Sequence, residues 1–497
     1  MKYKVLLSAL FTIMSIGVSA ADVEINETNF PDENFRAILK GWSSGQDGVF
    51  TEDEILNIQS ISVSDKHISS LKGIEHFKYL QRLNCGYNQL TSLDVSKNTC
   101  LTMLSCNNNQ LTSLDLSNNE TLFQVFCQNN QLTSLNISKT PLYNLWCDNN
   151  QLTSLDMSNK TQISSLSCTN NQLTELDLSN NPTLKVLGCG NNPLRNFDIS
   201  NNLALEELYC VSLHLTSLDI SKLTALKILN CTSNDLTNLD VSKNTTLEKL
   251  YCGFNQITSL DVSNCPALKD LDCQSNQLTS LIVPNNPALE TFYCNSNLLA
   301  NLDVSNSPHL NRLECYKNQL TNLNVSNNPE LEFLYCYENQ LTSLDVSNDN
   351  ALFYLHCQKN KLTNISVSNL SALEQLYCFT NQLKNEAMDN LLDNLPTQDN
   401  PQAVIVTIST SADEKNVCTK DQVKVANLKG WKVMGYDVAY EDVGGRFFDY
   451  EGSDPAGIQT ISLDNDSNVL IYDLNGRKLV KSNKGVNIID GKKVIIK

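Results

Sequence analysis

Cysteine is the side chain that could do the most chemistry in this sequence, because 18 cysteines occur among 497 residues. Thiols can form disulfides, bind metal ions as thiolates or act as nucleophiles. Fifteen of them recur every 21 residues, with a single step of 20 between the third and the fourth. They are Cys85, Cys106, Cys127, Cys147, Cys168, Cys189, Cys210, Cys231, Cys252, Cys273, Cys294, Cys315, Cys336, Cys357 and Cys378. A fixed period of this length is typical of stacked supersecondary units, so these ladder cysteines should share one structural position.

The period argues against disulfides and metal-thiolate sites. In-register residues on neighbouring strands lie about 4.8 Å apart, whereas a relaxed disulfide prefers a Cβ separation of ~3.8 Å. No C-x-x-C motif that would indicate a metal site occurs. We therefore interpret the ladder cysteines as buried free thiols that act as small apolar side chains. Cys100, Cys265 and Cys418 lie outside the period and are the candidates for pairing.

The sequence indicates no catalytic site. It has only five histidines and no G-x-S-x-G, H-E-x-x-H, P-loop or dinucleotide-binding motif. The candidate catalytic carboxylates, Asp272 and Glu314, lie two repeats apart. A net charge of −18 disfavours nucleic acid as a partner, because phosphate binding requires clustered Lys and Arg. We expect a protein that is not an enzyme and needs no cofactor.

The elements that position these residues follow from the repeat. Residues 80–90, LQRLNCGYNQL, fit the pattern L-x-x-L-x-L-x-x-N-x-L with cysteine at the third apolar position, and Leu90–Val95 contains a shorter L-x-x-L-x-L. This resembles the 21-residue, internalin-like class of bacterial leucine-rich repeat proteins over residues 56–385. The resemblance implies a horseshoe-like solenoid of about fifteen turns with a parallel β-sheet. Alternation in Leu83-Asn84-Cys85 agrees with a strand whose Leu and Cys point inward.

Asparagine is the recurring polar residue of the repeat, whereas glycine is scarce. It follows each ladder cysteine by three residues, from Asn88 to Asn381, and fails only at Leu213. An inward amide can satisfy the backbone groups of the bends in adjacent turns. We therefore predict that these ladder asparagines turn the chain.

The outward residue in the middle of each first-half strand is often aromatic. Tyrosine recurs there every 42 residues from Tyr209 to Tyr377, and further aromatic residues flank the last of them. Exposed rings in a row suggest partner binding, since Tyr and Trp combine an apolar face with a polar group; the alternative is that the rings only stabilise the sheet or reflect a 42-residue duplication. The candidate ligand-binding residues are Phe126, Trp146, Tyr209, Tyr251, Tyr293, Tyr316, Phe333, Tyr335, Tyr337, Tyr354, Tyr377 and Phe379.

A second outward column, in the other half-repeat, is acidic. These aspartates either bind divalent cations or accept hydrogen bonds from nearby Ser, Thr and backbone donors, and we favour hydrogen bonding. The column consists of Asp94, Asp115, Asp156, Asp177, Asp198, Asp219, Asp240, Asp261, Asp303 and Asp345.

The N-terminal segments read as a signal and a cap. Residues 1–20 combine a basic start, an apolar stretch and Val18-Ser19-Ala20, which predicts an export signal cleaved after Ala20. Residues 21–55 should form an N-terminal cap, with a helix in 26–41 that presents Phe30, Phe35 and Ile38 on one face. Residues 43–54 resemble a degenerate EF-hand calcium loop that lacks acidic ligands at its first positions, so we favour a structural role for it.

The C-terminal segments read as a cap, a linker and a sorting signal. Residues 386–440 alternate helical and strand-like stretches, and the glycine-rich residues 441–458 suggest a linker. Residues 459–497, with VLIYDLNGRK at 469–478 and two hairpin signals at Asn475-Gly476 and Asp490-Gly491, resemble the C-terminal sorting module of type IX secretion. The resemblance implies a β-sandwich tail that carries the protein across a bacterial outer membrane. A small β-rich cap without a targeting role is the alternative.

Together these patterns predict a secreted or cell-surface protein without a transmembrane segment. Its expected role is to bind a protein or glycan through the concave strand face, in adhesion or host interaction. The alternative is a surface glycan-binding accessory protein that captures polysaccharide.

Overall fold

The computed structural model describes residues 22–283, 286–347, 349–443 and 445–454, together with the backbone of four strands between residues 471 and 496. The predicted export signal lies outside the described residues. The chain divides into two compact units. The first contains the residues up to Leu184 and Asn192–Asn201, and the second contains Lys185–Asn191 and the residues from Asn202 onward.

The first unit begins with a small cap around a cluster of phenylalanines. Its elements are β1 (Val23–Glu24), α1 (Glu33–Gly41), β2 (Val49–Phe50), antiparallel to β1, and α2 (Glu52–Asn57). Asp32 caps α1 by accepting a hydrogen bond from the Phe35 amide, so the helix begins later than the sequence suggested. Phe35 and Leu39 form its buried face. The expected Ile38 is only half-buried, because the spacing of four residues from Phe35 selects Leu39.

Short parallel strands stacked in register build the rest of the first unit. The first-half strands β3, β4, β5, β7, β9 and β10 form one sheet, and β6 and β8 from the second half-repeats pair separately. Their bounds are β3 (Ser60–Ser62), β4 (Arg82–Asn84), β5 (Met103–Ser105), β6 (Ser113–Asp115), β7 (Gln124–Phe126), β8 (Ser134–Asn136), β9 (Asn144–Trp146) and β10 (Ser165–Ser167).

The second unit continues the same arrangement. Its first-half strands pair in parallel from β11 to β24, while β15 pairs with β17 and β21 with β23. The bounds are β11 (Val186–Gly188), β12 (Glu207–Tyr209), β13 (Ile228–Asn230), β14 (Lys249–Tyr251), β15 (Ser259–Asp261), β16 (Asp270–Asp272), β17 (Ser280–Ile282), β18 (Thr291–Tyr293), β19 (Arg312–Glu314), β20 (Phe333–Tyr335), β21 (Ser343–Asp345), β22 (Tyr354–His356), β23 (Asn364–Ser366) and β24 (Gln375–Tyr377).

The core confirms the predicted parallel β-solenoid of about 15 turns, because a strand ends immediately before each ladder cysteine. In a typical turn Leu83 and Cys85 are buried, whereas Asn84 between them is partly exposed. All fifteen ladder cysteines are fully buried free thiols, as predicted, and the three candidates for pairing, Cys100, Cys265 and Cys418, are free as well. Burial raises the pKa of ladder thiols such as Cys231 to about 12, so they stay protonated and serve as apolar filling.

The ladder asparagines form the predicted hydrogen bonds between turns. Asn109 donates from Nδ2 to the carbonyl oxygens of Cys85 (3.0 Å) and Cys106 (3.1 Å). Its Oδ1 accepts a hydrogen bond from the Leu90 amide at 3.0 Å. One buried amide thus satisfies three backbone groups in two turns.

The prediction that the ladder asparagines turn the chain is wrong in one respect. The positive φ at each bend belongs to the preceding residue, two positions after the ladder cysteine, and none of these fifteen residues is glycine. A Cβ makes this conformation costly, and the tertiary hydrogen bonds of the ladder asparagine help to hold it, although Ser212 adopts it before Leu213, where the asparagine is missing. The residues are Tyr87, Asn108, Asn129, Asn149, Asn170, Asn191, Ser212, Ser233, Phe254, Ser275, Ser296, Lys317, Glu338, Lys359 and Thr380.

A second ladder, which the sequence analysis missed, supports the bend of the other half-repeat. Its asparagines are fully buried, and Asn119, for example, donates from Nδ2 to the carbonyls of Val95 (3.1 Å) and Asn98 (3.0 Å). Lys160 and Cys265 occupy the same position in other turns and also donate to backbone carbonyls. The asparagines of this second ladder are Asn98, Asn119, Asn181, Asn202, Asn244, Asn286 and Asn328.

After the last repeat the chain continues as α3 (Glu386–Asp393), β25 (Val404–Ser409), α4 (Lys420–Leu428), β26 (Lys432–Asp437) and β27 (Arg446–Asp449). β25 pairs in parallel with β24 and then with β26, and β27 is antiparallel to β26. β27 lies within the predicted linker, so residues 446–449 belong to this sheet instead. Gly435 permits the pairing, because a Cβ there would overlap the ring of Phe448.

Four further strands follow: β28 (Ile471–Tyr472), β29 (Lys478–Leu479), β30 (Gly485–Ile489) and β31 (Lys492–Ile496). They form one antiparallel sheet in the order β29-β28-β30-β31. The β-sandwich expected for this tail stays a prediction, since the residues between the strands lie outside the described part. Within the described residues no helix is long and apolar enough to span a membrane.

Thiol counting tests the free-cysteine core. Cys100 is the one cysteine that is not buried, so it alone should react rapidly with Ellman's reagent in the folded protein. After unfolding in guanidinium without reductant, all 18 thiols should react. A lower count in the unfolded protein would show that some of them are disulfide-bonded.

Asp349→Asn should stabilise the protein at neutral and alkaline pH. Asp349 occupies the second-ladder position and is fully buried, and neither carboxylate oxygen has a hydrogen-bond partner within the described part of the chain. Burial raises the pKa of Asp349 from 3.8 to about 7. The contribution of Asp349 to folding stability is therefore fully present below pH 3.8 and is lost as the pH rises through 7. An amide restores the donor, and urea unfolding at pH 8 should show a gain of about 1–3 kcal/mol.

The gain should disappear in acid, where Asp349 is itself protonated. Asp303→Asn is the matched control, because Asp303 is exposed and already accepts a hydrogen bond from the Ser305 amide at 2.9 Å. An equal gain from both substitutions would mean that general charge reduction, and not the ladder position, is responsible.

Candidate binding surface

The outward surface of the first-half strands carries most of the predicted ligand-binding residues. We call it the strand face. In each turn it consists of the first and third strand residues and the residue after the ladder cysteine, because their neighbours point into the core. The two units are described separately.

In the first unit the strand face brings together Phe126 and Trp146. Their rings make an edge-to-face contact with centroids 5.2 Å apart, and the Trp146 indole N–H donates to Ser165 Oγ at 3.2 Å. Phe123 and Tyr143, which the sequence analysis did not select, are exposed one position before these strands. Each of them lies four residues before a ladder cysteine, and this shared spacing could have identified them in the sequence.

In the second unit Tyr209, Tyr251 and Tyr293 occur on alternate strands, so the side chain of an intervening strand separates each tyrosine from the next. Tyr209 donates its hydroxyl to Glu207 at 3.0 Å, and burial and this carboxylate raise the pKa of Tyr209 to about 12. Tyr251 donates to Asp270 at 3.4 Å. All three tyrosines are half-buried, and acids at neighbouring positions hold the hydroxyls of Tyr209 and Tyr251.

The remaining rings pack into one group in the second unit, which we call the aromatic cluster. Three parallel stacks define it: Tyr316–Tyr337 with centroids 4.3 Å apart, Phe333–Tyr354 at 5.3 Å, and His356–Tyr377 at 4.1 Å. An edge-to-face contact of 4.8 Å joins Tyr335 to His356. The cluster consists of Tyr316, Phe333, Tyr335, Tyr337, Tyr354, His356 and Tyr377, all partly exposed.

Arg312 holds one edge of the aromatic cluster, and sequence reasoning missed it. Its guanidinium lies over the rings of Phe333 (5.2 Å) and Tyr335 (5.1 Å) and over Tyr293 (5.9 Å). It also binds Glu314 through Nε at 2.8 Å and Nη2 at 2.6 Å. Cation–π contacts and a two-nitrogen ion pair therefore fix this side of the cluster. A lone arginine among aromatic residues at strand positions was the available signal.

His356 is the neutral, apolar member of the aromatic cluster. Burial lowers its pKa from 6.5 to about 4, and its Nε2 has no hydrogen-bond partner among the described residues. The ring therefore packs as an uncharged aromatic side chain at neutral pH.

Phe379 occupies a strand-face position but is covered, so it is not available for binding as the sequence suggested. Its side chain is only 3% exposed and stacks on Tyr436 of β26 with centroids 4.8 Å apart. The C-terminal strands cover it, and Phe447 of β27 also contacts Tyr377 at 5.5 Å. A partner therefore cannot reach the Phe379 ring, and the strands that follow the repeats cause the difference.

The candidate catalytic carboxylates do not form a pair. Glu314 is bound to Arg312, whereas Asp272 accepts hydrogen bonds from the side chain (2.9 Å) and amide (3.1 Å) of Gln274. Burial raises the pKa of Asp272. Tyr293 lies on the strand between the two acids. This arrangement provides binding groups rather than an acid and base acting on one bond.

The acidic column is held by hydrogen bonds, as we favoured. Each aspartate accepts, through Oδ1, the backbone N–H of the residue two positions later; for Asp240 and Ser242 the distance is 2.8 Å. These bonds hold the pKa of Asp240 below its usual value. The same bond occurs at Asp94, Asp115, Asp156, Asp177, Asp198, Asp219, Asp261, Asp303 and Asp345.

The calcium-like loop uses its acids for local structure. Glu54 accepts hydrogen bonds from the amide (2.9 Å) and hydroxyl (2.8 Å) of Thr51 in a capping box at the start of α2. Asp47 accepts the amide of Val49 at 3.1 Å. Across the described residues, no group of three or more His, Cys, Asp and Glu is placed to hold a metal ion.

Comparison with known proteins identifies the repeat. Residues 245–287 match the family model of leucine-rich repeats in two copies. The chain contains leucine-rich repeats. Internalin J of Listeria monocytogenes serotype 4b (strain F2365) is 32% identical over 71 residues, which are 14% of this chain and 8% of that protein. The chain thus matches less than a tenth of the length of this curated relative.

Solved structures of leucine-rich repeat proteins extend the similarity. The functional domain of InlJ from Listeria monocytogenes, described as including a cysteine ladder, is 29% identical with a TM-score of 0.54. The match covers 79% of this chain and 84% of that one. The Leptospira interrogans protein LIC12759 is 24% identical, covers 71% of this chain and 96% of its own, and has a TM-score of 0.63. The second similarity concerns the fold alone.

Protonation of His356 should make this leucine-rich repeat protein less stable in acid. Its pKa is about 4 in the folded state and 6.5 when unfolded, so its contribution is fully present above pH 6.5 and is lost as pH falls toward 4. The loss should reach about 3 kcal/mol. His356→Phe keeps a stacked ring and should remove this part of the pH dependence, measured by urea unfolding between pH 4 and 7.5. Parallel pH profiles of the two proteins would contradict the assignment.

Proposed function

We propose that this leucine-rich repeat protein is a non-catalytic binding protein whose aromatic cluster recognises a protein partner. The observation that carries the proposal is a group of partly exposed, mutually stacked rings on the strand face, outside the core. Stacking fixes the rings before binding, so little side-chain entropy is lost on association. Rigid aromatic residues flanked by an arginine are the composition typical of binding hot spots.

The stacking geometry favours a protein over a glycan. Glycan recognition by aromatic residues uses open ring faces, and stacking covers one face of Tyr316 and one face of Tyr337, whose planes differ by 7°. One face of His356 and one face of Tyr377 are covered in the same way, with an interplanar angle of 10°. Stacked rings present their edges, and the tyrosines add polar hydroxyl groups. These suit hydrogen bonding and apolar contact with a protein surface. Polysaccharide capture by a surface accessory protein is the second candidate function.

We further propose that the protein works outside the cytoplasm, on the cell surface or after secretion, in adhesion or host interaction. The basic and apolar pattern of residues 1–20 supports export. The resemblance of residues 459–497 to a type IX sorting module supports passage across an outer membrane. The antiparallel pairing of β28, β29, β30 and β31 supports a β-rich module at this end.

Replacing rings of the aromatic cluster should abolish partner binding without unfolding the protein. We expect the triple variant Tyr335→Ser, Tyr337→Ser, Tyr377→Ser to lose at least about tenfold in affinity, because hot-spot rings contribute about 2 kcal/mol or more each. A cross-linked pulldown from candidate host or bacterial surface fractions identifies the partner, and surface plasmon resonance then compares wild type and variant. A glycan array run in parallel tests the second candidate function.

The matched control is Tyr79→Ser, Tyr87→Ser, Phe254→Ser, which removes three equally aromatic but more exposed rings away from the aromatic cluster. It should bind like the wild type. Equal loss in both triple variants, or no loss in either, would refute the aromatic cluster as the binding site. Selective binding to glycans, lost in the first variant, would support the accessory-protein alternative instead.

A further inference from the structure

The strand face of the second unit repeats one side-chain arrangement with a shift of 42 residues. In register on adjacent strands, Glu314 lies between Tyr293 and Tyr335, and Asp272 lies between Tyr251 and Tyr293. Neighbouring strands are about 4.8 Å apart, so each carboxylate has a tyrosine directly on either side. We call the first arrangement the filled site and the second the open site.

The filled site shows what this arrangement binds. The guanidinium of Arg312 lies 5.9 Å from the ring centre of Tyr293 and 5.1 Å from that of Tyr335. It is bonded to Glu314 at 2.6 and 2.8 Å. Two ring faces and one carboxylate thus hold a planar cation supplied by the chain itself. Cation–π attraction and charge-assisted hydrogen bonds act together in this geometry.

The open site lacks this cation. In the filled site, Arg312 lies two residues before the carboxylate of Glu314. In the open site, the same position, two residues before Asp272, is occupied by Asp270. Asp270 is already bound to Lys249 Nζ at 2.6 Å and accepts the Thr291 hydroxyl at 2.6 Å. Asp272 makes no ion pair among the described residues, and its hydrogen bonds come from Gln274.

The carboxylate of the open site is held without charge compensation. Gly253 leaves it room, since a Cβ there would lie 3.0 Å from Asp272 Oδ1. Asp272 is partly buried, and this burial raises its pKa, which is the expected response of a carboxylate that lacks a cation. The side chain is therefore in the electrostatic state that a bound cation would relieve.

We propose that the open site, formed by Tyr251, Asp272 and Tyr293, binds an arginine side chain of the protein partner. A guanidinium is favoured over an ammonium because it is planar, stacks on rings and offers paired donors to a carboxylate, as Arg312 does in the filled site. The inference rests on the proposed function, because it names one group on the partner that the strand face recognises.

The test uses the full-length chain and the peptide acetyl-Gly-Arg-Gly-amide, with its citrulline and lysine counterparts for comparison. Binding is measured by ligand-observed NMR titration. We expect the arginine peptide to bind more tightly than both counterparts. Asp272→Asn should weaken its binding at least about tenfold, because a charged hydrogen-bonded contact is worth about 1.5–3 kcal/mol.

Glu332→Gln is the matched control, because it removes the same charge from an exposed position of the same unit. It should leave peptide binding unchanged, which separates site binding from attraction to the net charge of −18. Arg312→Gln should empty the filled site and add a second binding site for the peptide. Thermal melting confirms that each variant is folded.

Three outcomes would overturn the inference: equal binding of the arginine and citrulline peptides, equal effects of Asp272→Asn and Glu332→Gln, or an unchanged number of sites in Arg312→Gln. Failure of the proposed function is distinguishable. If the peptide binds at Asp272 but partner binding does not depend on the aromatic cluster, the proposed function is refuted and the open-site inference is retained. If partner binding requires the aromatic cluster but the peptide does not bind, the open-site inference is refuted and the proposed function is retained.

Discussion

Backbone polar groups that turn inward at the bends need hydrogen-bond partners inside the molecule, and the rest of the repeat depends on this requirement. A buried carbonyl without a partner costs more than any single apolar contact gains. The ladder asparagines meet the requirement by bridging two turns, as Asn109 does between Cys85 and Cys106. The same bonds hold the preceding residue at positive φ, even where it is tyrosine, phenylalanine or threonine. Glycine is then unnecessary at the bend.

Several residue types meet this requirement in the second ladder, although Leu223 and Leu370 occupy its position without a side-chain donor. Asparagine, threonine, serine, cysteine and even lysine occur there, and each donates to backbone carbonyls. What they share is a donor group, so side-chain size and charge are secondary. Lys160 keeps its place because an ammonium donates to the carbonyls of Ser138 and Thr140. Asp349 also departs from this pattern, and its buried oxygens have no hydrogen-bond partner among the described residues.

The same regularity prepares the strand face for binding. Leucine, cysteine and asparagine satisfy the core at fixed positions of every turn, which leaves the outward positions free of structural demands. Strands in register place equivalent outward residues about 4.8 Å apart, close to the spacing of stacked rings. Aromatic residues in successive turns therefore stack without further support, as Tyr316 and Tyr337 do. A rigid surface follows directly from repetition.

The sequence by itself determined the features that repeat. Period, strand alternation and the ladder asparagines were readable because fifteen copies of one local pattern separate structural positions from variable ones. Free buried cysteines followed from the spacing of parallel strands, which does not suit a relaxed disulfide.

Only the tertiary structure decided what each copy touches. The covering of Phe379 by Tyr436 and the grouping of Arg312 with three rings depend on segments brought together by folding. β27 likewise joins β26 within residues that read as a linker. The second ladder is hard to recognise in the sequence because its position holds several residue types, including Leu223 and Leu370. The local repeat pattern specifies which way a side chain points. Its contact partners come from residues distant in sequence, so the repeat pattern alone cannot identify them.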